Sequence, residues 1–481
     1  MIIKKTNVWY KSLLIIMLLG ILLIITGSFI NRVKPLANVV SFWLTDPQHS
    51  VLFERQADSL TFSAQKTNSI CINVNDKEQY QKIDGFGFTL TGGSAIVINK
   101  MSKTKRQELL DELFDTKGNH IGISYLRLSI GSSDMSDHVF SYDDLPAGQT
   151  DPQLTQFTLE EEKKDLIPLL HDILSINPSI KIMASPWSPP LWMKTNHNAI
   201  GGSLKPEYYA TYAQYFIKYI NEMAGQGIKI DAITVQNEPL HPGNSPSMLM
   251  PADEQNLFIK KYLGPYFKQN AIRTKIILYD HNLDRLDYPL SILDDKDTRK
   301  YVDGTAFHLY AGNIAAMSYV HQKYPLYNLY FTEQWVNSQD ADLSSNLAWH
   351  VKNLIIGATR NWSRNVLEWN LATDMYYAPH VIKPGCDICM GGVTIIGDSV
   401  IRNPSYYIIA HAAKFVRPGS SRIWSDNNEN LPNTAFINPQ GEKILIVLND
   451  KPYTQAFSIN YHQKVLNTAL NAGAVGTYVW N

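Results

Sequence analysis

The 481-residue sequence predicts an α/β protein, a parallel eight-stranded core beside an antiparallel β-domain, on three grounds. The middle of the chain alternates short apolar strands with amphipathic helices, the order that builds a parallel sheet. Both ends carry period-two segments rich in β-branched residues, which argue strands of an antiparallel sheet. Ahead of both lies an uncharged, mostly apolar run from Leu13 to Ile30, long enough to span a membrane.

That run follows Lys4, Lys5 and Lys11 and is apolar on every face, which argues against a core helix. Residues 1–35 are therefore expected to be an uncleaved signal anchor or a cleaved signal peptide. Phe29-Ile30-Asn31-Arg32 is a poor cleavage site, which favours the anchor. Either way the rest of the chain is exported: held at a membrane through this segment, or secreted or periplasmic if it is cut. Residues 36–80 read as a linker and the first strands of the β-domain, with Leu60-Thr61-Phe62-Ser63 and Ile70–Val74 alternating. Residues 413–481 complete it through Lys443–Asn449, Ala456–Ile459 and Gly476–Trp480.

Between them, residues 81–412 hold eight strand candidates. These are Ile83–Thr91, Ser124–Asp134, Lys181–Pro189, Asp231–Pro239, Lys275–Asn282, Tyr301–Tyr310, Leu329–Trp335 and Asn365–Thr373. Helices at Lys103–Phe114 and Glu207–Ala224 separate some of them, the second placing Tyr212, Phe216, Ile217 and Ile220 on one face. This is the pattern of a (β/α)8 TIM barrel with a β-sandwich side domain. A doubly wound sheet is the competitor, but Asp84-Gly85-Phe86-Gly87 lacks the third glycine and following helix of a dinucleotide turn.

Composition narrows the function. Lys+Arg 43 against Asp+Glu 44 gives no reason to expect nucleic acid, which would call for a basic face. Ten Trp and 26 Tyr are a generous aromatic supply, most of it for ordinary core packing, but suited to stacking on sugar rings. Three cysteines are too few for a disulfide framework. Cys386-Asp387-Ile388-Cys389 has metal or redox spacing without a second pair, so a loop disulfide and two free thiols both stay open. No metal signature or cofactor motif is found, and neither group is expected.

In a TIM barrel the carboxyl ends of the strands form the working rim. Here that rim collects Arg127, Trp187, Asn237, Glu238, Asp280, His308, Tyr310, Glu333, Trp335 and Trp369. The stretch Asp231–Pro239 runs as an apolar strand into Gln236-Asn237-Glu238, and proline then takes the backbone out of the sheet. Leu329–Trp335 ends likewise on Glu333. Two glutamates facing each other across one mouth are what glycoside hydrolysis needs, about 5–5.5 Å apart for retention of configuration. Glu238 and Glu333 are thus the catalytic candidates. Arg127, Trp187, Asn237, His308, Tyr310, Trp335 and Trp369 are the substrate-binding candidates, with His308 either lining the site or only packing. Arg127 and the Tyr310 hydroxyl are expected to hold Glu333 as a carboxylate, whose charge then keeps Glu238 protonated. Asn237 is expected to hydrogen-bond the sugar 2-hydroxyl.

Six segments resemble glycoside hydrolase family 30, the acid β-glucosidase (glucosylceramidase) family. They are Tyr80–Gly87, Tyr125–Ser129, Ala184–Asn196, Gln236–Pro239, Phe331–Glu333 and Glu368–Ala372. The resemblance implies Glu238 as acid/base, Glu333 as nucleophile, and Arg127, Trp187, Asn237, Tyr310 and Trp369 around one glucose. It also implies the barrel with its β-sandwich, and no cofactor. Two features depart from glucosylceramidases. Gly92 stands where an aspartate after the first strand is expected, and the loop through Met375–Gly392 looks more like bacterial members that cut β-1,6-glucans. The expected function is an exported retaining β-glucosidase of glucosylceramidase type, with an endo-β-1,6-glucanase as the alternative. A non-catalytic carbohydrate-binding protein is a remote third. The partner is accordingly a glycolipid or a β-glucan, and oligomeric state is not written in the sequence.

Overall fold

The computed structural model describes residues 39–481, apart from 58, 59, 66, 67, 69, 383 and 384. The expected anchor at 1–35 lies outside these residues, and among those described no helix is long and apolar enough to cross a membrane.

Eight parallel strands close a barrel: β1 (Gly85–Thr89), β2 (Tyr125–Ile130), β3 (Lys181–Pro186), β4 (Ala232–Thr234), β5 (Lys275–Asn282), β6 (Val302–His308), β7 (Asn328–Glu333) and β8 (Ser363–Glu368). β8 pairs back onto β1 through Asn365 opposite Gly85, which leaves no open edge. Asp84-Gly85-Phe86-Gly87 opens the barrel rather than a phosphate turn. Gly85 has φ of 147°, and a Cβ on Gly87 would lie 2.0 Å from the Tyr125 carbonyl oxygen, so only glycine lets β1 and β2 approach. The helix at Lys103–Phe114 is as expected, and the next begins two residues late, at Tyr209–Gly225, with Tyr212, Phe216, Ile217 and Ile220 buried.

Most strands are shorter than their apolar runs suggest. β4 keeps three residues of the expected nine, because its backbone leaves the ladder at Val235. The loop stays dry by other means: Asn237 N–H donates to the Pro186 carbonyl and Glu238 N–H to that of Asp280. Burial, which hydrophobicity reports, therefore extends past pairing, which it does not.

The barrel interior is layered by the period-two rule. Tyr125, Met183, Ala232, Ile277, Ala306, Tyr330 and Leu367 form an apolar plug. Two residues further along their strands stand Arg127, Ser185, Thr234, His308, Thr332 and Trp369, so the next layer up is mostly polar.

The flanking domain is one ten-stranded sheet made from both ends of the described chain. Its first strands are Val39–Asp46, Val51–Arg55, Leu60–Thr61 and Ile70–Lys82, and its last six run from Ser421–Ser425 to Val475–Trp480. Most pairings are antiparallel, but Gln455–Tyr461 runs parallel to Ile70–Lys82. Both faces are apolar and used. Ile444, Ile446 and Leu448 join the barrel-side core, whereas Leu445 and Val447 enter the sheet's own core. The barrel is thus mounted on a broad, dry face.

Candidate active site

The polar layer is organised by Arg127, fully buried on β2. Its guanidinium donates to Glu333 Oε2 at 2.6 Å, Asn237 Oδ1 at 2.6 Å, Asp280 Oδ2 at 2.7 Å and Ser185 Oγ at 3.1 Å. One cation thereby joins the ends of β3, β4, β5 and β7. It also lies 4.8 Å over the Trp187 ring, so that indole is fixed by the same group.

Two irregularities aim the carboxylates. β5 pairs with β6 through Tyr279 opposite Ala306 and then His281 opposite Phe307, so one extra residue, Asp280, bulges out of the ladder. Tyr279 and Asp280 take left-handed φ of 71° and 65°, and the Asp280 side chain reaches Arg127, Thr234 and Thr332. β7 slips likewise, Glu333 rather than Thr332 facing His308, so both consecutive side chains enter the site. Glu238 itself sits at φ of 43° in the loop after β4. A bulky residue in left-handed backbone is strained, and strain of this kind collects at functional sites.

The two glutamates meet. One carboxylate oxygen of Glu238, one of Glu333 and a His308 nitrogen all lie within 4.8 Å of one another. Tyr310 donates to Glu333 Oε1 at 2.9 Å. His308, fully buried, bridges Glu238 Oε1 and Asp280 Oδ1 at 3.1 Å each. It is a linker inside the site, not a wall of it. Among the described residues this trio is the one set of donors close enough to share a metal. Arg127 and Tyr310 already engage both oxygens of Glu333, which suits proton chemistry better.

Trp187 and Trp369 pack at 5.4 Å and, with half-buried Trp335 beside them, form an aromatic wall. Asn237 gives its carbonyl oxygen to Arg127, which leaves its amide N–H groups for a hydroxyl. The carboxylate expected after β1 is missing there: Gly92 opens the helix Gly92–Asn99. A carboxylate arrives instead from the loop after β2. Asp134 is buried with Oδ1 unpartnered, and burial with the charges of Glu333 and Glu238 pushes it up to about 7. It closes the expected strand Ser124–Asp134, but the strand itself stops at Ile130 and leaves Asp134 four residues out in the loop. His281, 3.8 Å from Glu238 and pushed down to about 4 by burial, was not singled out either.

The protonation pattern departs from expectation. Burial raises both glutamates, but the His308 hydrogen bond and charge, helped by His281 and His241, bring Glu238 below the ordinary carboxylate range. Glu333 ends above it, because burial and the charges of Glu238 and Asp280 outweigh His308 and Arg127. The site's spare proton rests on His308. Burial disfavours it there, but Glu333, Asp280 and Glu238 surround the ring and raise it to about 9. A folded-state value above the unfolded 6.5 adds stability that is complete below pH 6.5 and lost as pH rises through 9. Urea unfolding of wild type and His308→Gln should therefore differ most near pH 6. The gap should narrow by up to about 3 kcal/mol towards pH 9.5, and a pH-independent gap would refute the assignment.

A family model described as the glycosyl hydrolase family 30 TIM-barrel domain matches residues 83–416, and one for the family's β-sandwich domain matches 419–478. The chain belongs to glycoside hydrolase family 30. It is a glycoside hydrolase, like the members it resembles. The endo-1,6-β-D-glucanase BGN16.3 of Trichoderma harzianum is 34% identical over 411 residues, covering 80% of each chain. The mouse lysosomal acid glucosylceramidase is 29% identical over 442 residues, covering 85% of this chain and 83% of that protein. Among solved structures, the endo-β1,6-glucanase BT3312 superposes with a TM-score of 0.85 at 34% identity, covering 92% of this family 30 chain and 99% of its own.

Proposed function

We propose that this family 30 enzyme is an endo-β-1,6-glucanase acting with retention of configuration. For the mechanism, the supporting observation is the approach of Glu238 and Glu333 to within 4.8 Å, the short separation that direct nucleophilic attack requires. For the substrate, it is that the relatives named as β-1,6-glucanases are closer, at 31–34% identity, than those named as glucosylceramidases, at 27–29%. The glucosylceramidase reading, which an N-terminal anchor would suit, is accordingly the second one.

In this reading Glu333 attacks the anomeric carbon and the leaving oxygen takes a proton from Glu238. Water then releases the glucosyl group, with Glu238 as base. The proton starts on His308 Nδ1, one 3.1 Å hydrogen bond from Glu238. After its transfer, neutral His308 keeps Nε2–H on Asp280 and accepts from the new Glu238 hydroxyl, so no polar group is orphaned. Arg127 and Tyr310 hold Glu333 as the departing charge is collected.

A linear β-1,6-glucan and glucosylceramide in detergent micelles, given to the same preparation, separate the readings. Internal cutting to a ladder of short oligosaccharides, with glucosylceramide at least about tenfold slower in kcat/KM, is expected, a gap of about 1.4 kcal/mol in transition-state binding. Rapid release of glucose from the lipid with the glucan untouched would reverse the conclusion.

A further inference from the structure

We propose that the Cys386–Cys389 disulfide is a positioning element of the sugar pocket. It locks the loop after β8 against Trp369, Trp187 and Trp335, so that the oxidised enzyme has a formed aromatic wall and the reduced enzyme a loosened one. The bridge itself is present, closing a separation of three residues. It is not a surface ornament. Cys389 is buried in one cluster with Met135, Trp187 and Trp369, and Cys386 and Trp335 pack on that cluster.

The bridge also sits where two catalytic loops are tied together. Cys389–Met390 pairs antiparallel with Val336–Asn337, which begins three residues after Glu333. The Ser338 N–H donates to the Ile388 carbonyl at 3.0 Å beside this ladder. At its other end the same loop is anchored next to Asp134, where Val381 N–H donates to the Asp134 carbonyl at 2.9 Å. The loop thus runs from the carboxylate on one side of the pocket to the nucleophile's strand on the other. Of its other large side chains, Val381 is buried beside that anchor, whereas Met375, Tyr376 and Ile382 are exposed. A two-residue ladder repays little of the entropy of ordering such a segment, so the cross-link decides whether the loop stays packed on the wall, of which only Trp187 has Arg127 as a second support.

Glu333 does not depend on this clamp. Its carboxylate is set by β7, Arg127 and Tyr310, all on the barrel frame. Loss of the bridge should therefore weaken sugar binding and spare the chemical step. A tryptophan wall typically carries more than about 1.4 kcal/mol of binding, which is about tenfold.

The inference rests on the pocket being the glucose site of a β-glucan hydrolase. The full chain is treated with a phosphine reductant under native conditions until two further thiols react with a thiol reagent. The double variant Cys386→Ser/Cys389→Ser serves as a second route to the open loop. KM and kcat on the β-1,6-glucan, calorimetric affinity for a glucose-shaped iminosugar, and thermal melting are then compared. KM and the iminosugar dissociation constant should rise about tenfold, kcat should stay within about twofold, and re-oxidation should reverse the change. An unchanged KM and iminosugar affinity with both thiols exposed overturns the proposal. So does loss of cooperative melting, which would make the bridge a plain fold staple. An oxidised enzyme that ignores the glucan but still binds the iminosugar refutes the substrate assignment alone, and the redox comparison of iminosugar affinity still decides this inference.

Discussion

Glu333→Gln should abolish turnover, by roughly 10⁴-fold or more in kcat, as loss of a covalent nucleophile does elsewhere. The fold should survive it. Arg127 can still donate to the glutamine carbonyl oxygen, in place of the oxygen it reaches at 2.6 Å, and the Tyr310 hydroxyl, 2.9 Å from the other position, can turn to accept from the amide NH2. Because burial and neighbouring carboxylates raise Glu333, its ionised form works against folding at neutral pH, and removing that charge should raise stability. Activity and stability should therefore move in opposite directions. A mechanism-based β-glucoside inactivator should label Glu333 in the wild type and leave the variant unmarked. The pair is further told apart by azide. Added to Glu333→Ala it should yield the α-glucosyl azide, and added to Glu238→Ala the β-anomer, because only the second still forms the glucosyl-enzyme. The reverse result would exchange the two roles.

Arg127→Met should be the most destabilising single change in the site, by about 3–5 kcal/mol at pH 7. It removes the cation from four acceptors while Asp280, held far below the ordinary carboxylate range by Arg127 and His308, remains fully buried. A group with a depressed folded value contributes stability above its unfolded value near 3.9 and loses it as pH falls. In the variant Asp280 can take up a proton, so the deficit should shrink in urea melts at pH 4.5 relative to pH 7. Activity should fall with it, since Glu333, Asn237 and Trp187 lose a common anchor. A deficit below about 1 kcal/mol at pH 7 would mean that the four acceptors find other partners.

Much of this was legible from residue order. The eight apolar runs located every barrel strand, because a buried parallel strand is apolar on both faces. The alternating ends located the β-domain for the complementary reason. Glu238 and Glu333 stood out because each closes an apolar strand with a carboxylate, an expensive place for a charge without a purpose. Strand ends were less legible. Val235–Asn237 is as buried as Ala232–Thr234, and only hydrogen-bond partners tell ladder from loop. Asp134 ends the second apolar run but was not singled out, because the run extends past the true strand end at Ile130, and its place at the pocket comes from the fold bringing it to Glu333 and Glu238.

His308 shows the division most clearly. Its position at the end of β6 was readable, but its burial between Asp280 and Glu238 was not, and that burial moves the spare proton off the glutamate. Hydrophobic periodicity by itself determined the barrel and the side domain, and the ends of its apolar runs singled out Glu238 and Glu333 as candidates. The bulge at Asp280, the slip at Glu333, the disulfide clamp and the placing of charge were decided by tertiary structure alone. They depend on which strand faces which residue at 3 Å, a distance that periodicity does not encode.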